Sequence, residues 1–174
     1  MKECIKIVEK ILLILLGCCL GGYLMAHKYC IKLKSVKTDI NRWQVCVRLY
    51  DLWMITKQSG QSIEEYLSSK GICNIAIYGT GYLGIRLYYE LKDSCINVKY
   101  VLDKNPNIRL VGVDMFDIDH CSYKMIDAVI VTELHTYDSV KTMLNSKGYK
   151  QIFAFDDIIY EMMTNAQKEC LCDI

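Results

Sequence analysis

The stretch CNIAIYGTGYLGIRLYYELK, residues 73–92, constrains the fold more than any other part of the chain. Its first six residues are short, apolar and flanked by glycines, which reads as a buried parallel strand. The residues from Tyr82 onward carry the apolar spacing of an amphipathic helix. Gly79, Gly81 and Gly84 follow the strand at once. In such a turn the first glycine permits the tight exit from the strand, the second lets backbone approach a diphosphate, and the third lets helix and strand pack closely. The helix then presents its free N–H groups and positive dipole end to the phosphates. Thr80 and Tyr82 are placed to add loop contacts. The next apolar run, VKYVLD, ends in Asp103, nineteen residues beyond Gly84, where an acid would meet the hydroxyls of an adenosine ribose. Its charge favours NAD over NADP, while Lys104, next in the chain, could accept a ribose phosphate and keeps NADP open.

The remaining pattern alternates in the same way. A short third strand is expected around Val111–Met115, a fourth over residues 127–132 (DAVIVT) and a fifth over residues 151–155 (QIFAF). Helices are expected over DSVKTMLNSKG, closed by Gly148, and over DDIIYEMM, with Asp156 as its N-cap. Strands alternating with helices predict an α/β domain with a Rossmann-like, five-stranded parallel sheet in the order 3-2-1-4-5. The ligand crevice then lies at the carboxyl ends of strands one and four.

Ahead of this domain, residues 11–27 (ILLILLGCCLGGYLMAH) carry no formal charge, and Ile5, Ile7 and Val8 extend the apolar character. About 20 such residues cross a bilayer, so a single transmembrane helix is expected. A cleaved secretory signal, or a lipoprotein box at LLGC ending in Cys18, are the rivals. Lys28, Lys32, Lys34, Lys37 and Arg42 follow the apolar run against Lys2, Lys6 and Lys10 before it, which favours a cytoplasmic C-terminal side. The expected location is thus a bacterial cell membrane, crossed once. Gly17 and Gly21 form a GxxxG through which two copies could pair. In residues 40–58, Trp43, Val47, Tyr50 and Met54 form one apolar stripe, with Cys46, Leu49 and Trp53 beside it, and burial against the domain or a second copy is expected. After a break at Gly60, Ser62 and Glu65 make a capping box for a short helix that ends at Gly71. The domain reading is therefore an anchor with a basic flank over 1–38, a helical linker over 39–71, the nucleotide-binding domain over 72–163 and a tail over 164–174.

Net charge of +1 gives no field that would gather nucleic acid, and no nucleic-acid motif is present. The ten cysteines lack paired CxxC spacing and read as reduced thiols. Cys170 and Cys172 have no histidine nearby to complete a metal site, so no metal is expected.

With LYDLWMITKQSGQSIEEYL leading into IAIYGTGYLGIRLYYEL, then VLDKN, DAVIVT and FDDIIYEM, the chain from about Leu49 to Met162 resembles the small Rossmann-like, nucleoside-diphosphate-sugar epimerase-like domain proteins of bacterial surface-polysaccharide loci. The resemblance implies a nucleotide or nucleotide-sugar ligand in envelope glycan assembly. The larger catalytic half of such enzymes has no counterpart here.

Whether the domain catalyses anything is open from the residues alone. An epimerase or dehydratase uses a tyrosine with a lysine four residues on. Tyr88 with Lys92 and Tyr137 with Lys141 match that spacing, but the first pair falls on the phosphate-binding helix and the second directly after strand four. Glu133 and His135, in the loop leaving strand four, could exchange a proton at the crevice. His27 and His120 have no metal partner at useful spacing. The expected function is a nucleotide-binding module, non-catalytic or regulatory. A small NAD(P)-dependent sugar-nucleotide oxidoreductase or epimerase using His135, Tyr137 or Lys141 is the first alternative, and a scaffold without ligand the second.

Overall fold

The computed structural model describes the backbone of residues 2–104, 110–118 and 125–172 and the side chains of residues 15–104, 110–118 and 125–164. His120 and Cys121, and the side chains of Lys2, Lys6, Lys10, Cys170 and Cys172, lie outside these limits. The chain divides into two compact units, Met1–Val45 and Cys46–Ile174.

The first unit consists of helix α1, which runs from Lys2 to Gln58 and so continues into the second. Among the described residues no helix is long and apolar enough to cross a membrane. This overturns the expected transmembrane helix, and the single-pass location expected from it falls as well. The reason is length. The uncharged run of residues 11–27, between Lys10 and Lys28, rises only about 25 Å as helix, against roughly 30 Å of hydrocarbon. Lys28, Lys32, Lys34 and Lys37 then follow on the same unbroken helix.

The second unit opens with the last turns of α1, followed by α2 (Ile63–Ser69), β1 (Asn74–Tyr78), α3 (Tyr82–Leu91), β2 (Asn97–Asp103) and β3 (Asp114–Asp117). It continues with β4 (Ala128–Val131), a 3-10 turn (Leu134–Thr136), α4 (Tyr137–Ser146), β5 (Ile152–Ala154) and α5 (Phe155–Cys172). All five strands are parallel in the order β3-β2-β1-β4-β5, as the alternation predicts. The central strands are buried on both faces, so they read as continuous apolar runs in place of an alternating pattern. Their period of two still sorts the residues between faces. Ile75 and Ile77 join Leu87 and Leu91 of α3 and Phe155, Ile158 and Ile159 of α5 in one core. Ala76 and Tyr78 join Val140 and Leu144 of α4 in the other.

Local signals position these elements. Gly60 and Gly71 take positive φ at the ends of α1 and α2, and the Ser62 hydroxyl accepts from the Glu65 N–H at 3.1 Å to cap α2. At the amino ends of the strands, one oxygen of the Asp127 carboxylate accepts from the Asn74 and Cys73 N–H groups at 2.7 and 2.9 Å. These backbone bonds hold its pKa below the usual carboxylate range.

Three details differ from expectation. The third strand starts three residues late, because Gly112 takes φ +93° in a turn before it. Asp156 sits inside the first turn of α5, beside Asp157, where its charge suits the helix dipole. Of the two stripes near the end of α1, the buried one contains Leu49 and Trp53, with Trp53 packed edge-on against Phe155 at 4.9 Å between ring centroids. Val47 and Met54 remain exposed.

Candidate functional site

The glycine turn lies at the carboxyl end of β1, between the ends of β2 and β4, and both neighbours fasten it. From the β2 side, the Leu102 carbonyl accepts from the Gly79 N–H at 2.8 Å. The Asp103 carboxylate accepts from the Thr80 N–H at 2.7 Å and from the Thr80 hydroxyl at 2.5 Å. On the β4 side, the Thr132 N–H donates to the Tyr78 carbonyl at 2.9 Å, and its buried hydroxyl lies 3.0 and 3.3 Å from the Tyr78 and Gly79 carbonyl oxygens.

The three glycines are accounted for in three different ways. Gly79 has φ +103°, which side chains rarely tolerate, and a Cβ there would meet the Thr132 hydroxyl at 2.8 Å. A Cβ on Gly84 would overlap the Gly79 carbonyl oxygen, so this position is closed by the approach of α3 to the turn. Gly81 is different. Its φ of −68° and ψ of −178° suit any residue, and an added Cβ would meet no protein atom within 4 Å. Nothing in the described protein excludes a side chain from Gly81; it faces open space at the N-cap of α3. As a glycine cap it supplies no side-chain oxygen to the first N–H groups of that helix.

A crevice of about 340 Å³ opens at the same end of the sheet, lined by Tyr78, Gly79, Asp103, Lys104, Glu133, Thr136, Ser139 and Val140. The structure therefore brings Gly79 and Asp103 together at one mouth, with exposed Gly81 and Tyr82 on the rim of α3. Thr80 is buried, and its hydroxyl is turned onto Asp103. His135, Tyr137 and Lys141 are not among the crevice walls. The Tyr137 hydroxyl donates to the Ile152 carbonyl at 3.1 Å, and the Lys141 ammonium stands 5.4 Å from the centre of its ring. Tyr88 is buried and donates to the Val111 carbonyl at 2.8 Å, while Lys92 lies over Tyr89. Among the described residues no group of three or more His, Cys, Asp or Glu side chains could hold a metal ion.

Thr132 is the positioning residue that sequence reading passes over, taking it only as the end of a strand. Its signal is a hydroxyl directly after the buried run AVIV, on the strand that adjoins β1 in a 3-2-1-4-5 sheet.

A parallel sheet in this order, with a glycine turn leading from its first strand into a helix N-terminus, defines a Rossmann-like nucleotide-binding fold. Among solved structures, the chain is similar to RSP, a Rex-family repressor, at a TM-score of 0.40 and 26% identity. It is also similar to RSP in complex with beta-NADH, at a TM-score of 0.38 and 25% identity. Each match covers 48% of this chain and 45% of the repressor, so the chain spans less than half the length of that protein. No protein-family model matches the sequence, and no curated protein does.

Proposed function

We propose that the second unit binds the diphosphate of NAD or NADP, with a nucleotide-sugar as the alternative occupant, and acts as a binding or regulatory module. The observation that carries this reading is Gly81. Its missing side chain is demanded neither by backbone conformation nor by a protein neighbour, and it leaves clear the space where a phosphate would meet the first N–H groups of α3. Asp103, held to the turn through Thr80, stands where ribose hydroxyls would be received, and Lys104 beside it would receive a ribose phosphate. Service in cell-surface polysaccharide assembly is the setting that the resemblance implies.

The position of Tyr137 supports binding over catalysis. Its hydroxyl proton is engaged by a β5 carbonyl, away from the crevice walls. Calorimetric titration of the full chain with NAD, NADP and a UDP-sugar should give saturable, one-to-one binding of at least one of them, with a dissociation constant below about 100 µM. Bound NADH should keep its absorbance when candidate sugar nucleotides are added. Absence of heat with all three ligands would overturn the reading, and turnover of bound nicotinamide would replace it with an enzyme.

A further inference from the structure

We infer that the first unit of the chain is a self-association helix, in which an apolar seam on α1 pairs with the same seam of a second copy. The inference is independent of the nucleotide reading. It starts from spacing. Leu15, Cys19, Gly22, Ala26, Tyr29, Leu33, Val36, Ile40 and Trp43 follow one another at alternating intervals of four and three residues, without interruption. The first and last differ by 28 positions (43 − 15), or four heptads. A strict repeat of 3.5 residues on a continuous α-helix keeps its apolar positions in register only along another helix of the same repeat, wound in a left-handed supercoil.

The rest of the segment sharpens the seam. Between Lys28 and Gln44 the off-seam positions hold charged or polar residues, apart from Cys30 and Ile31. Within the first unit the large seam side chains are exposed, with Leu15 at 58%, Tyr29 at 63%, Leu33 at 66%, Val36 at 46%, Ile40 at 52% and Trp43 at 51% exposure. Six large side chains at such exposure offer on the order of 600 Å². Flanking Leu16, Tyr23 and Met25, also exposed, bring this near the roughly 800 Å² per partner of a stable interface.

The self-matching repeat selects a second copy as the occupant. Two identical chains present the same repeat, so the interface closes on itself as an isologous pair. Gly17 and Gly21, the pair suggested by the GxxxG spacing, fall outside this seam.

Sedimentation equilibrium of the full chain in detergent-free buffer tests the proposal. The wild type should run at twice the chain mass. Leu33→Glu should raise the dissociation constant at least about 100-fold, and the milder Ile40→Asn, a polar residue that paired seams accommodate at a cost, by about 10-fold. Ile31→Glu, two residues from Leu33 and itself 56% exposed but off the seam, should change it by less than about 3-fold. Circular dichroism of each variant verifies folding, and the two seam substitutions guard against one of them failing to fold. A wild type that stays monomeric throughout, or an Ile31→Glu chain that dissociates as fully as Leu33→Glu, would overturn it.

Discussion

Replacing Gly84 with alanine is expected to destabilise the second unit by about 3 kcal/mol or more, although alanine is the better helix former. Intrinsic propensity favours the substitution by about 1 kcal/mol in a helix interior. Against this, the new Cβ would overlap the carbonyl oxygen of Gly79 and approach the Thr132 hydroxyl to 2.9 Å. The first of these atoms is backbone in a turn fastened at both sides, by Leu102 and Asp103 on β2 and by Thr132 on β4. Relief therefore requires α3 to retreat from β1, separating Leu83 and Leu87 from the core they share with Ile75 and Ile77. Steric cost exceeds the gain in propensity. Denaturant unfolding measures the difference, and Gly81→Ala is the internal control. A side chain there meets nothing within 4 Å, so only the weaker N-capping of alanine, about 1 kcal/mol, should separate it from the wild type.

Gly81→Val should behave in the opposite way, leaving the fold intact while weakening nucleotide binding at least about 100-fold, or roughly 2.7 kcal/mol. The extended backbone at this position suits valine, and no protein atom opposes it. What a branched side chain would fill is the approach to the first turn of α3, where a phosphate would accept hydrogen bonds from backbone N–H groups. Calorimetry with the best ligand of the wild type reads the loss. An unchanged dissociation constant in a folded Gly81→Val chain would place the ligand elsewhere.

The contrast between these glycines also marks how far the sequence alone reaches. The change from helical to extended periodicity at Gly71, the buried runs of β1 and β4, and the glycine spacing are local signals that do not depend on what packs where. The sheet order follows from them through chain connectivity. The edge strand β3 was harder to place because DMFD has polar ends, and an edge strand needs no continuous apolar run. Which stripe of α1 faces the domain was not legible at all: Leu49 and Trp53 outcompete Val47 and Met54 for burial only because of where Phe155 and α2 lie. The apolar run near the N-terminus reads as a span by composition, yet its 17 uncharged residues, 11–27, rise only about 25 Å on the helix before the lysines. Thr80 illustrates the same limit within the site. Its place in the turn suggested a ligand contact, yet its hydroxyl is committed to Asp103, a partner 23 residues away.

The central claim is that a diphosphate sits at the amide groups opening α3. Hydrogen exchange of the full chain, followed with and without saturating nucleotide, tests it most directly. The claim predicts that exchange slows chiefly over residues 79–85, with a smaller effect around Asp103. Saturable binding that leaves those amides unchanged, with protection at the amino ends of the strands near Asp127 instead, would contradict it.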